Sequence, residues 1–197
     1  GWAIADVLTG RAEPQGRLVV SVPKSAGAMP FYYNHKLKSG GTPFAFHFGA
    51  RYPFGYGKGW GEFSFGTPQL QQSQVAIEGE ITLRVTVKNN GERSGSEVVQ
   101  LYVRDKVASM VRPLQELKAF QRVTLSPNEQ ATLTFTIPVD MLNFTRYDGQ
   151  RIVEPGEFEL QIGTSCAQIH GRASVQVKGD TRVLPPDWRM MSHCEVR

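Results

Sequence analysis

Cysteine is scarce in this sequence: Cys166 and Cys194 are the only two in 197 residues. Two thiols make no disulfide framework, so an apolar core has to hold the fold. One bridge closing the C-terminal region and two unrelated thiols are both open, with unrelated thiols the preferred reading. Neither thiol has a partner at zinc-like spacing except His193, beside Cys194, so no metal site is expected. Charge of one sign is also lacking. The formal net charge of +4 comes from scattered Lys and Arg without a basic run, which argues against a nucleic-acid surface. Apolar runs are only a few residues long, too short for a membrane span. No GxGxxG, phosphate loop or HExxH occurs, so no cofactor is expected. The sequence opens on Gly1 with no signal-peptide pattern. That reads as a processed or excised piece whose targeting signal would lie upstream.

What is present suffices for a folded protein. Hydrophobic residues make up 40% and charged residues 20%, a balance that excludes wholesale disorder. The length fits one domain and part of another. The chain divides near residue 68, and its second part is the more regular. RVTVK alternates apolar and polar residues, NNGERSGS turns the chain, and VVQLYVRD resumes the alternation. QRVTLSPNEQATLTFTIP repeats the format with a turn at Ser126–Glu129, and EPGEFELQIG follows with Phe158, Leu160 and Ile162 on one side. GRASVQVKG supplies a last strand with Val175 and Val177 inward. The first strand falls at Val75–Ile77 or at Ile81–Val87. Short strands separated by frequent turns, with no convincing helix, predict a mainly β immunoglobulin-like sandwich over 68–178. Tyr102, Phe135 and Phe158 lie in alternating strands and are expected in its core.

The first part is different. GWAIADVLTG reads as a helix ending at Gly10, and Leu18–Val22 as a strand stopped by Pro23. One helix and one strand make no core, so residues 1–67 read as the end of a larger α/β domain plus a connecting arm. Residues 24–67 have almost no periodicity yet are dense in rings, among them Phe31, Tyr32, Tyr33, Phe44, Phe46 and Phe48. Such a segment needs a surface to pack on. That surface is expected to belong either to the rest of a larger protein or to a second copy of the chain.

Four stretches carry a resemblance in family order: IADVLTGRAEPQGRLVVSVPKSAGAMPFYYNHK, RYPFGYGKGWGEFSF, SGSEVVQLYVRDKVASMVRPLQELKAFQRVTLSPNEQATLTF and VEPGEFELQIGTS. Together they resemble the C-terminal part of glycoside hydrolase family 3, most closely the bacterial periplasmic β-glucosidase type. The chain departs from the family pattern at Val19, where a proline is usual, and at Lys58–Gly61, where LSYT is common. Residues 179–197 match nothing in the resemblance. It implies the end of the family's α/β sandwich domain over 1–67, a fibronectin type III-like domain over 68–178 and a tail over 179–197. It also implies a parent that is periplasmic or secreted and hydrolyses terminal β-linked glucose. The expected partner is the remainder of that enzyme, its barrel and α/β body, or a second copy of the chain. A β-glucoside or oligosaccharide would be the substrate of the complete enzyme.

Retaining glycosidases use two carboxylates, a nucleophile and an acid/base. In the resembling family both lie upstream of the matched region, so no catalytic residue is expected here. The stretch YYNHK is the first candidate site. Rings stack on the apolar faces of a pyranose while polar tips bind its hydroxyls, which makes Tyr32, Tyr33, Asn34, His35 and Trp60 candidate substrate-rim residues. The competing and preferred reading buries these rings as anchors. His35 as a general base would need a fixed nucleophile and an orienting group. Ser25 and Ser39 share its loop but nothing fixes them. Phe54 and Tyr56 of the strap YPFGYG, with Arg104, Asp105, Arg112 and Glu116 around the loop DKVASMVRPLQELKAF, are candidate domain-interface residues. The alternative to a part of an enzyme is a carbohydrate-binding or protein-interaction module without catalysis, which the fold class alone does not exclude.

Overall fold

The computed structural model describes residues 1–36 and 49–197. Phe44, Phe46 and Phe48 of the aromatic segment, and Ser39, lie outside the described residues. The architecture is mainly β: a sandwich of two five-stranded sheets. One sheet contains β3 (Phe63–Phe65), β4 (Gln69–Leu70), β6 (Glu80–Asn89), β9 (Gln130–Pro138) and β15 (His193–Val196). Its order is β15-β9-β6-β3, with β4 beside β3 along the same edge of β6. The other has the order β5-β13-β12-β7-β8. Its members are β5 (Gln74–Ala76), β7 (Gly95–Asp105), β8 (Glu116–Leu125), β12 (Gly156–Ser165) and β13 (Gln168–Lys178). Among the described residues two smaller strand groupings accompany the sandwich. The first pairs β1 (Val22–Pro23) with β2 (Ala50–Tyr52), and the second joins β10 (Phe144–Thr145), β11 (Arg151–Val153) and β14 (Arg182–Val183).

The period of two explains the core. In β6, Ile81, Leu83, Val85 and Val87 are buried, and in β9 so are Ala131, Leu133, Phe135 and Ile137. They meet Val99, Leu101 and Val103 of β7, Phe158, Leu160 and Ile162 of β12, and Val175 and Val177 of β13. Each such side chain contributes about 1.5–3 kcal/mol. Both places considered for the first strand are strands, and they enter opposite sheets. The NNGERSGS turn is organised by the buried Asn89. Its amide donates to the carbonyls of Arg93 (2.7 Å) and Leu125 (3.0 Å), while its oxygen accepts the Gly91 N–H.

Three expectations are corrected. Leu18–Val22 is not a strand. Only Val22 and Pro23 pair, with β2, while Val19 and Val20 stay exposed. The expected N-terminal helix is present: α1 spans Trp2–Leu8 and buries none of its residues, and the chain turns off it at Gly10, φ +74°. Tyr102 is fully buried but not in the sandwich core: it faces away from it, as its strand neighbours Leu101 and Val103 face inward. The loop expected through Phe120 is shorter, because β8 already begins at Glu116.

Residues 179–197 are ordered. β15 pairs antiparallel with β9, His193 opposite Thr136 and Val196 opposite Leu133. Arg197 and Thr132 then exchange both backbone hydrogen bonds. Elements on both sides of 68–178 therefore share its first sheet.

Candidate functional site

Burial in β7 runs unbroken from Val99 to Val103, and in β12 from Leu160 to Gly163, whereas β6 and β9 alternate. A strand buried on both faces has a second layer over it. Here that layer is the aromatic arm. Tyr33 stacks on Phe54 with centroids 4.1 Å apart and meets Tyr102 edge-on at 6.1 Å. The Tyr33 hydroxyl accepts the Leu117 N–H at 3.0 Å. Burial is the main cause that pushes the Tyr33 phenol above its usual range, and the same holds for Tyr102. The Phe54 carbonyl accepts the Cys166 N–H at 3.0 Å. Below the rings, buried Gln100 donates from its amide to the carbonyls of Gly55 (3.2 Å) and Thr164 (2.7 Å), and its oxygen accepts from the Tyr102 hydroxyl.

YYNHK runs across this surface with alternating exposure: Phe31, Tyr33 and His35 turn in, Tyr32, Asn34 and Lys36 turn out. The His35 carbonyl accepts the Leu114 N–H at 3.0 Å, and Lys36 bridges Pro113. The His35 ring contacts its neighbour's carbonyl through Nδ1 and lies 5.7 Å from the Phe31 ring. Among the described residues it bonds no hydroxyl or thiol. The stretch is a pinned loop, and the surface that pins it is this chain's own sandwich.

The far end of the strap is held by charge. The Glu13 carboxylate accepts three backbone N–H groups, those of Trp60 (3.1 Å), Gly61 (3.2 Å) and Ser96 (2.8 Å). Arg17 forms an ion pair with Glu97, both largely shielded from water. Leu18 accepts the Gly55 N–H and donates to the Tyr56 carbonyl, at 2.8 and 2.9 Å. These contacts fix the segment after α1 to β7. Sequence reasoning passed over Glu13, Arg17 and Gln100; only Gln100, polar within VVQLYV, left a trace. A glutamine side chain in place of Glu13 would offer one acceptor oxygen where the carboxylate has two. Glu13→Gln is therefore expected to cost about 1–3 kcal/mol in urea denaturation; an unchanged midpoint would mean that this anchor is idle.

Trp60 is 49% exposed and Tyr32 61%. The anchors of the two ends, Ser96 and Tyr102, are six residues apart on β7, roughly 20 Å at the rise of a strand. Tyr33 and Trp60 therefore do not form one stacking platform. The interface candidates form a second cluster. Arg112 sits 3.4 Å from Asp105 and 3.1 Å from Glu116, donates to the Leu142 and Asn143 carbonyls, and lies over the Phe144 ring. Burial raises the Asp105 carboxyl, and the guanidinium opposes the shift. This cluster ties the loop to its own sandwich, with Glu116 and Leu117 linking it to Tyr33. Arg104 lines an open cavity under the same loop.

Cys166 and Cys194 are both free. Burial pushes each thiol up to about 11. At pH 8 the thiolate fraction is then roughly a hundredfold below that of an ordinary cysteine. Iodoacetamide is expected to alkylate the folded chain that much more slowly than the unfolded one, read by mass spectrometry; equal rates would contradict the burial.

A two-sheet sandwich strapped on one outer face defines an immunoglobulin-like class, and residues 97–166 match the fibronectin type III-like domain. Residues 1–60 match the glycosyl hydrolase family 3 C-terminal domain. Together the two matches correspond to the C-terminal part of the glycoside hydrolase family 3 architecture. The chain is 37% identical over 182 residues to a periplasmic β-glucosidase of Salmonella typhimurium, covering 86% of this chain and 24% of that protein. It is 39% identical over 169 residues to a β-xylosidase of Formosa agariphila, covering 84% and 23%. The crystal structure of a Listeria innocua β-glucosidase in complex with glucose superposes with a TM-score of 0.83 at 34% identity, covering 92% of this chain and 26% of that one. The chain thus spans about a quarter of the length of the relatives it matches.

Proposed function

We propose that this chain is the C-terminal part of a β-glucosidase that removes terminal β-linked glucose, and that it supports the enzyme body and lends residues to the rim of its cleft. One observation carries the reading. Trp2, Ile4 and Leu8 of α1 and the nearby Val19 and Val20 are all more than 60% exposed. Yet the segment between them is fixed to the sandwich through Glu13 and Arg17. An apolar surface held rigidly in place, on a helix too short to persist alone, suits a body that covers it. The partner in this reading is the remainder of a family 3 enzyme. Tyr32, Asn34 and Trp60, which point outward, are the rim candidates. Tyr33 and His35 are anchors instead.

The chemistry agrees. A retaining hydrolase needs two carboxylates facing each other across a sugar. Among the described residues Glu13, Glu97, Asp105, Glu116, Glu157 and Glu159 are bound to backbone N–H groups or cations. The catalytic pair belongs to the body in this reading. Export to the periplasm or beyond is part of the proposal, supported by the Salmonella relative's name. No helix is long and apolar enough to cross a membrane among the described residues.

The test is fragment complementation on an aryl β-glucoside. Neither this chain nor the preceding body is expected to turn over alone, and mixing or co-expressing them should restore hydrolysis. Turnover by this chain that disappears on changing one of its own carboxylates would overturn the reading. So would a body fully active without it, which would favour a free-standing binding module.

A further inference from the structure

A groove of about 260 Å³ lies on the strapped face of the sandwich, between the strap and β8. That is room for roughly eight waters. Its lining is mainly apolar. Leu18 and Val19 come from the N-terminal segment, Phe54 from the strap, and Val98, Leu117 and Phe120 from β7 and β8. The polar groups beside them are already engaged. Gln100 bonds Gly55, Thr164 and Tyr102, the Gly55 N–H bonds Leu18, and Arg17 pairs with Glu97. Arg122, which also lines the groove, stands at an exposed position. An ion or a polar ligand would find few partners here, and an apolar side chain would strand none.

Both walls are held in place. Leu18 is bonded to Gly55 and Tyr56 on one side, and β7 and β8 are paired along their length on the other. Phe120 stands opposite Gln100 in that ladder, so its ring is on the face the strap crosses, while Ala119 and Val123 turn to the core. Phe120 is 66% exposed and Val19 81%. One exposed ring is ordinary. Two large apolar side chains on facing walls of one groove, beside a strand at the end of its sheet, make a continuous surface that wants a cover. Val19 and its exposed neighbour Val20 belong to the surface already given to the enzyme body, so the groove continues that surface onto β8. The chain spans about a quarter of the length of its relatives, which leaves ample protein outside it to supply the cover.

We propose that the enzyme body covers this groove and seats an apolar side chain in it, so that its contact runs from α1 and Val19 onto β8, with Phe120 as the anchor on this chain. Rings set in desolvated pockets carry most of the energy of such contacts. The inference rests on the reading that this chain supports an enzyme body, and it goes beyond that reading: the body bears on the sandwich itself and clamps the strap between the two.

The test is alkylation by iodoacetamide of thiols placed by Phe120→Cys and Arg122→Cys, in the 197-residue chain and in the complete enzyme, read peptide by peptide by mass spectrometry. Both positions are exposed in the chain, so neither substitution should disturb its fold. Leu8→Cys reports the α1 surface, and Tyr147→Cys, exposed on the turn after β10, is the control. The two groove thiols are expected to react at least ~10-fold more slowly in the enzyme than in the chain, with Tyr147→Cys unchanged. Groove thiols equally fast in both, with Leu8→Cys protected, would overturn this proposal and leave the supporting role standing. If Leu8→Cys is equally fast as well, both fall. Groove thiols slow in the isolated chain at every concentration would mean that the chain covers its own groove, and slowing that grows with chain concentration would give the groove to a second copy; either result overturns the proposal.

Discussion

Gly55→Ala is expected to release the strap from the sandwich and to cost at least ~3 kcal/mol. Gly55 has φ +81°, a conformation costing an L-residue about 1–2 kcal/mol. A Cβ there would lie 2.2 Å from Gln100 Oε1 and 2.9 Å from its Cδ. Gln100 cannot swing aside cheaply. It is 2% exposed and bonded to Gly55, Thr164 and Tyr102. Displacing it leaves buried polar groups unpaired at about 1–3 kcal/mol each. Gly149 is the control, with φ +83° but nothing within 4 Å of its would-be Cβ, so Gly149→Ala should cost only the backbone share, about 1–2 kcal/mol. Urea denaturation gives the loss, and hydrogen exchange over residues 52–61 reports the strap. Equal losses for both substitutions, with exchange protection retained, would show that Gln100 does not lock the strap.

Ending the chain after Lys178 should lower stability by roughly 3–5 kcal/mol and make the protein self-associate. Asp140 is 2% exposed. Arg182 lies 3.4 Å from its Oδ1, and the Arg189 N–H donates to its Oδ2 at 3.0 Å. The two arginines also pair with Glu78 and Glu80, at 2.8 and 2.7 Å. Truncation strips a buried carboxylate of both partners. It also uncovers the edge of β9 from Leu133 to Thr136, and an open edge invites pairing with another chain. Denaturation midpoints and sedimentation velocity are the measurements. A truncated chain that stays monomeric and equally stable would show the C-terminal strand to be ornamental.

The sandwich was legible in the sequence where one face of a strand meets core and the other meets water. RVTVK and TLTFTI alternate for that reason, and the mainly β fold follows from such stretches. Legibility fails where both faces are covered. In VQLYV every residue is buried, so the period vanishes, and Tyr102 reads as core although it supports the strap. That Tyr33 and His35 turn inward while Tyr32 and Asn34 turn out was not legible, because the register of an irregular segment is set by what it lands on. The C-terminal strand was invisible for a related reason. Its anchors reach Asp140, Glu78 and Glu80 from residues dozens of positions away, and no local pattern encodes such pairs. Glu13 sits between an alanine and a proline, and nothing local announces that three amides converge on it.

The Leu18 contacts to Gly55 and Tyr56 have a topological consequence. They close residues 19–54 into a ring with a hydrogen-bonded neck. A change of length confined to residues 36–49 leaves the neck itself unbroken. A loop of twice the length would add only about 0.6 kcal/mol of closure entropy, and a peptide bond cut within it would leave both pieces gripped at the neck. The neck is closed by backbone hydrogen bonds, which depend on no side chain of the ring. Variation in length and sequence can therefore accumulate between residues 36 and 49 without opening the neck at Leu18.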